Sequence, residues 1–300
     1  MIANAFLYRL ISPLTVSAAE LEEALEPLKF VECGPTQEKS TGFVPSRGKA
    51  HGALVEAIGG HWILKVATET RSVPAKIIKK NVDEKCTQIE AQTGRKPGKK
   101  ERRDITDEVR LTLLPSAFPK ETQALVWIDR SSNTVMVEGS SQGKADDVVT
   151  LLIKGISGLQ MALINTQQSP TQAMAQWLVQ QEAPEKFGFE RECELKACDE
   201  SRGTVKYNKL SLETEEVKQH IQQGHLPTRL ALTWNDRVSF VLTDSLQLKK
   251  VAILDVVFEE TADSDKDDSF DADVSIMTGE LSAMIVDLVQ ALGGEAAIEK

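Results

Sequence analysis

The sequence predicts an α+β fold in which antiparallel sheets pack with helices and one basic helical hairpin protrudes. Three observations carry this reading. The 300 residues are 41% hydrophobic and 27% charged, an ordinary globular balance in a chain long enough for a sizeable core and one or two domains. The β-rich runs come in adjacent pairs between helices, as antiparallel sheets require, instead of alternating singly with helices. Between Pro74 and Pro115, two helical patterns flank a Gly/Pro break and carry a dense run of lysine and arginine.

The elements follow in order. Ala5 to Leu10 reads as a strand. Ser17 and Glu20 have the spacing of a capping box, with Val16 and Leu21 as a staple, so a helix carrying Leu21, Leu25 and Leu28 begins there. Trp62 to Arg71 alternates as a strand. Pro74 opens a helix whose apolar stripe is Ile78, Val82, Cys86 and Ile89. Thr93-Gly-Arg-Lys-Pro-Gly98 breaks it, and a second helix is expected from about Thr106 to Leu114, leaving a basic, flexible tip. Ala124–Asp129 and Thr134–Glu138 form a hairpin around Arg130-Ser-Ser-Asn133, followed by a helix over Lys144–Lys154. The low-charge stretch Asn165–Pro170 is the best domain boundary. Strands are expected near Glu192–Cys198 and Gly203–Leu210, a helix over Glu213–Gln222, and strands over Arg229–Trp234, Val238–Thr243 and Leu248–Phe258. A last helix starts near Thr278, with Leu281, Met284, Ile285, Leu288, Val289 and Leu292 on one face and Gly293-Gly294 as its stop. The expected organisation is a central α+β region over 1–73 and 117–165, interrupted by the hairpin at 74–116, then a second subdomain at 166–225 and C-terminal strands and helix at 226–300.

Several function classes are excluded by composition. The longest charge-free run, Gly155 to Gln181, is interrupted by Gln, Asn, Ser, Thr and Pro, so no membrane partner is expected. Met1 to Leu7 has no basic opening and no small-residue cleavage site, and four cysteines suit a reducing compartment, so the expected location is the cytoplasm. Net charge is −10, which by itself disfavours a nucleic-acid partner. Its distribution does not. From Lys76 to Arg103 cations outnumber acids ten to four, and from Asp255 to Asp273 nine acids face Lys266 alone.

Chemical motifs are few. Cys193, Cys198, His220 and His225 approach zinc-finger end spacings, but the gap between the pairs is too long, and the alternative is core thiols with surface histidines. Gly94-Arg-Lys-Pro-Gly98-Lys99-Lys100 lacks the glycine spacing, the Ser or Thr and the preceding strand of a phosphate loop. Asp263 to Asp268 lacks the Gly and terminal Glu of a calcium loop. No catalytic constellation is present, so the expectation is a protein without enzymatic activity, cofactor or metal.

The basic hairpin is the strongest functional signal. Lys76, Lys79 and Lys80 fall at helical offsets of three and four away from the apolar stripe, and Lys96, Lys99, Lys100, Arg102 and Arg103 crowd the tip. No Phe, Trp or Tyr occurs between Trp62 and Phe118, so no aromatic platform is available for stacking bases. Cations without base readers suit phosphate contact, which is independent of sequence. The alternative is a solubilising charged hairpin. In Leu113-Leu114-Pro115-Ser116-Ala117-Phe118-Pro119, a Phe beside a proline just past a helix end is either an aromatic anchor for another subunit or a side chain folded onto the core.

Tyr8-Arg9-Leu10, Cys33-Gly34, Leu113 to Phe118, Trp127-Ile-Asp129 and Thr228 to Trp234 occur in an order that resembles the recombination-associated RdgC family. Phe270-Asp-Ala-Asp273-Val-Ser-Ile-Met277-Thr-Gly-Glu280-Leu and Leu292-Gly-Gly-Glu-Ala296 are the most specific segments. The resemblance departs at the start, where Met1-Ile2-Ala3 stands in place of an aromatic and basic opening. It implies a horseshoe-shaped monomer closing into a ring-shaped homodimer, in the nucleoid, with a positively lined hole. It further implies binding to single- and double-stranded DNA without sequence preference, and restraint of RecA-driven strand exchange. The expected residues are then Lys76, Lys79, Lys80, Lys96, Lys99, Lys100, Arg102 and Arg103 on DNA and Phe118 at the dimer interface. A protein-interaction regulator that contacts the recombinase directly is the alternative, and a nuclease using the acidic loop is a more distant one.

Overall fold

The computed structural model describes residues 2–49, 51–199, 203–259 and 269–297. Strand β1 (Ala5–Leu10) leads to helix α1 (Ala18–Leu25), where the Ser17 side chain accepts the Glu20 backbone N–H and the Glu20 carboxylate accepts the Ser17 N–H at 2.7 Å. The expected capping box is therefore complete. Strands β2 (Lys39–Val44), β3 (Val55–Ile58) and β4 (His61–Arg71) precede the helices α2 (Ala75–Thr93) and α3 (Lys99–Leu113). Strands β5 (Pro119–Asp129) and β6 (Thr134–Glu138) form the expected hairpin, followed by α4 (Gln142–Gly155), β7 (Met161–Leu163) and α5 (Pro170–Gln180). The remainder is β8 (Phe187–Ala197), β9 (Thr204–Asn208), α6 (Glu215–Gln222), β10 (His225–Trp234), β11 (Val238–Thr243), β12 (Leu248–Ile253), α7 (Asp255–Glu259) and α8 (Ser269–Ala291).

Among the described residues, the twelve strands of this mixed α/β chain form one antiparallel sheet, ordered β2-β4-β5-β6-β1-β12-β11-β10-β8-β9, with β3 added on β4 and β7 on β1. The two halves join where Ala5 of β1 faces Leu248 of β12. Successive side chains of a strand point to opposite faces, and in β1 both faces are covered. Phe6, Tyr8 and Leu10 enter a core with Leu21 and Leu25 of α1 and Val148 and Leu152 of α4. Ala5 and Leu7 enter a second core on the other face, built with Met277, Leu281, Met284 and Leu288 of α8. The same division explains β4: Trp62, Leu64 and Val66 go to the first core and Ile63 to the second, so the stretch from Trp62 to Leu64 is apolar without a break before Lys65. Gly42 of β2 is required by a close approach, because a Cβ there would stand 2.4 Å from the Phe30 backbone.

Three expected boundaries are corrected. Helix α3 begins at Lys99 rather than near Thr106, because Lys, Glu and Arg are good helix formers and no breaker follows Gly98. Lys99, Lys100, Arg102 and Arg103 therefore occupy helical turns, and only Gly94–Gly98 links the two helices. Strand β12 ends at Ile253, and Asp255 starts a short helix where a strand was expected to run on to Phe258. Helix α8 starts at Ser269, well before Thr278, and buried Val274 and Met277 extend its apolar face toward the N-terminus. Strands β2, β3 and β7 and helix α5 went unpredicted. At α5, Ser169 caps and Pro170 takes the first helical position, so a proline read as a linker marks a helix start.

Candidate nucleic-acid interface

Helices α2 and α3 pack on each other through a small core of their own. Ile78, Val82 and Cys86 meet Ile105 and Val109, with Val73, Ile89 and Leu113 at the margin, and this cluster is separate from both sheet cores. The stripe read from sequence is the face that α2 buries. Gly94 adopts φ 71° and its N–H caps the Glu90 carbonyl, which turns the chain out of α2 without strain.

All eight sequence-predicted cations are exposed on this helical pair or its link. Lys76, Lys79 and Lys80 line an open hollow of about 680 Å³ together with Asp83 and Glu84. Lys96 lies in the link, and Lys99, Lys100, Arg102 and Arg103 form the first turns of α3. Arg102 reaches across to Asp83 and contacts the Cys86 sulfur, which fixes how the antiparallel helices are aligned. With 1.5 Å of rise per residue, the Arg102–Asp83 and Lys85–Glu108 contacts bracket the spacing of Lys76 and Lys99 along the pair at about 15 to 27 Å. The eight cations thus form a strip along one helical pair and its link.

The strip is only partly neutralised. Arg102 pairs with Asp83, Lys80 with Glu84 at 3.8 Å and Lys96 with Glu90 at 3.9 Å. Arg95 donates to Glu101 at 2.7 Å, a bond that holds the Glu101 carboxyl below its usual pKa. Lys85 pairs with Glu108 at 2.8 Å. Among the described residues, Lys76, Lys79, Lys99, Lys100 and Arg103 have no ion-pair partner. Exposed pairs of this kind are weak and screened by salt, so a phosphate can compete for the paired cations and meets no competitor at the others. Lys80–Glu84 is an i,i+4 pair already spaced for contact in the sequence, whereas Arg102–Asp83 depends on cross-helix alignment.

Phe118 lies in the turn between the Leu114–Ser116 3₁₀ segment and β5 and is 94% exposed. In that turn Leu114 is the side chain that folds onto the core, at 1% exposure. Two of the four residues weighed as zinc ligands have surroundings of their own. His225 Nδ1 lies 3.1 Å from the His220 carbonyl, and burial pushes the Cys193 thiol up to about 12. Among the described residues no group of three or more His, Cys, Asp or Glu is placed to hold a metal ion, and Asp263–Asp268 lies outside those residues. No helix among the described residues is long and apolar enough to cross a membrane.

A family model whose description reads "Putative exonuclease, RdgC" matches residues 1–295. The Recombination-associated protein RdgC of Herminiimonas arsenicoxydans is 42% identical over 296 residues, covering 98% of each chain. The proteins of the same name from Janthinobacterium sp. (strain Marseille) and Dechloromonas aromatica are 41% and 38% identical, covering 97% and 99% of each chain.

Proposed function

The chain belongs to the RdgC family, and from that premise we propose that it acts in recombination by binding DNA without reading its sequence. The observation that carries this reading is the strip of exposed cations on α2 and α3 in a chain whose net charge is −10. Lysine and arginine with no aromatic between Trp62 and Phe118 are suited to phosphates and offer no ring on which bases stack. The functional unit is a homodimer of horseshoe-shaped monomers, closed into a ring around duplex DNA in the nucleoid, with Phe118 as one anchor. Exposure of 94% at a large aromatic supports that role for Phe118. By occupying single- or double-stranded DNA the ring restrains RecA-driven strand exchange, and neither cofactor nor metal enters this reading.

Strand exchange measured with increasing unrelated duplex tests it. Relief of inhibition in proportion to added DNA sites is expected from occupancy. Inhibition that persists in excess DNA would instead mean direct contact with the recombinase. The family description favours a second reading as an exonuclease. Incubation of the protein with linear and circular DNA and Mg²⁺ separates the two, and shortening of DNA ends would replace the occupancy account.

A further inference from the structure

We propose that one flank of the α2–α3 pair, carrying Lys76, Lys79, Lys99 and Arg103, is a track for the phosphate backbone of a single DNA strand, while the opposite flank stays off the nucleic acid. The proposal rests on the DNA-binding reading above and assigns the face that does the binding.

Two cross-helix ion pairs define the flanks. Arg102 meets Asp83 on one side of the shared apolar seam, and Lys85 meets Glu108 on the other. Each residue of a helix turns about 100° from the last, so positions three, four or seven apart share a side. Lys76 and Lys79 are seven and four before Asp83, and Lys99 is three before Arg102, so all three lie on the Arg102–Asp83 side. Arg103 follows Arg102 and turns outward on that same side. Arg110, two turns further on, also lies there and reaches Glu38 at 4.0 Å. Glu101 and Asp104 are seven and four before Glu108, which puts the acids of α3 on the other flank. The Arg102–Asp83 flank therefore carries six cations (Lys76, Lys79, Lys99, Arg102, Arg103 and Arg110) against Asp83 and Glu90, and the other flank carries Glu101, Asp104 and Glu108 against Lys85.

The cationic side has the dimensions of a backbone. Lys76 to Lys99 spans about 15 to 27 Å, and one strand of B-DNA carries a phosphate per roughly 3.4 Å of axis, so the track runs beside about four to eight phosphates. Its four named cations have no carboxylate partner among the described residues. A track that follows one strand accepts single-stranded and duplex DNA alike.

The test is the salt dependence of binding to a short labelled duplex, read by fluorescence anisotropy. Two variants are compared with the parent: Lys76→Gln/Lys79→Gln/Lys99→Gln/Arg103→Gln, and Glu101→Gln/Asp104→Asn/Glu108→Gln. The first is expected to bind at least about tenfold more weakly and to lose about 0.9 of slope per phosphate contact removed. The second is expected to keep the parental slope and an affinity within about threefold. Equal and opposite changes in the two variants would mean that net charge, and not the flank, governs binding, and would overturn the proposal. Parental binding by the first variant would overturn the track and leave the DNA reading standing. A parent that binds no DNA would remove both. Thermal melts check folding, and the half-variants Lys76→Gln/Lys79→Gln and Lys99→Gln/Arg103→Gln carry the same comparison if the quadruple change disturbs the helices.

Discussion

Arg9 on the first strand and Glu295 beyond the last helix meet although 286 positions separate them. The Arg9 Nε and terminal nitrogen donate to the carboxylate at 3.0 and 2.7 Å, and its other nitrogen donates to Thr134 Oγ1 and the Ser132 carbonyl. Tyr8-Arg9-Leu10 and Leu292-Gly-Gly-Glu-Ala296, two segments that carry the family resemblance, are thus one structural unit. Helix α8 is fixed in the same manner, with Asp271 on Arg47 at 2.6 Å and Glu280 on Arg237 at 2.8 Å. The most recognisable stretch of sequence closes the fold and lies off the cationic strip.

Replacing Arg9 by Met leaves the mostly buried Glu295 carboxylate without its partner. The expected cost is about 2 kcal/mol or more, a fall in Tm of several degrees for a chain of this size. Urea unfolding measures it. A change below about 0.5 kcal/mol would remove the pair from the interactions that hold the fold.

Asp129 gives a pH dependence. Burial raises its pKa, but donors from Ser131 and Ser132 more than offset this and hold the carboxyl below its usual value. A lowered folded-state pKa contributes stability above the unfolded value of about 3.9 and loses it as pH falls through the folded value. Asp129→Asn is expected to be less stable than the parent at pH 7, with the gap narrowing below about pH 4. Urea unfolding at pH 7 and pH 3 reads the gap, and one that widens in acid contradicts the assignment.

The α2–α3 pair has its own small core and is expected to open before the sheet does. Native-state hydrogen exchange should show α2 and α3 amides exchanging with a lower opening free energy than those of β4 and β5. Val82→Ala should widen that difference. Exchange of helices and sheet in step, in both proteins, would show that they unfold as one unit.

What was legible in the sequence is what local periodicity encodes. The Ile78–Val82–Cys86 stripe, the Ser17–Glu20 box and the turn at Arg130–Asn133 each lie within a few residues of their partners. Strand β3 pairs with β4 across Gly59-Gly60, a local hairpin signal, whereas β2 and β7 pair with strands separated from them by intervening elements and have no such local pattern. The start of α3 was misplaced because charge was read as a loop signal. The eight exposed cations were legible as a group. The neutralisation of Lys80 by Glu84 lies at a local helical spacing; that of Arg102 was not legible, since Asp83 and Arg102 are 19 positions apart and meet only through the packing of α2 on α3.

Phe118→Ala should weaken self-association by about 2 kcal/mol, close to thirtyfold in Kd, if the ring is a dimer anchor. Sedimentation across a dilution series measures this. An unchanged equilibrium in a folded variant would take Phe118 out of the interface.

The central claim, phosphate contact without base reading, is tested most directly by affinity for random and AT-rich duplexes across a salt series. The account predicts a linear fall of log K with log salt at about −0.9 per phosphate neutralised. It also predicts that the two sequences bind within about tenfold of each other, far below the ~10³ ratio of specific binders. A flat salt response, or a preference of ~10³ for one duplex, would contradict it.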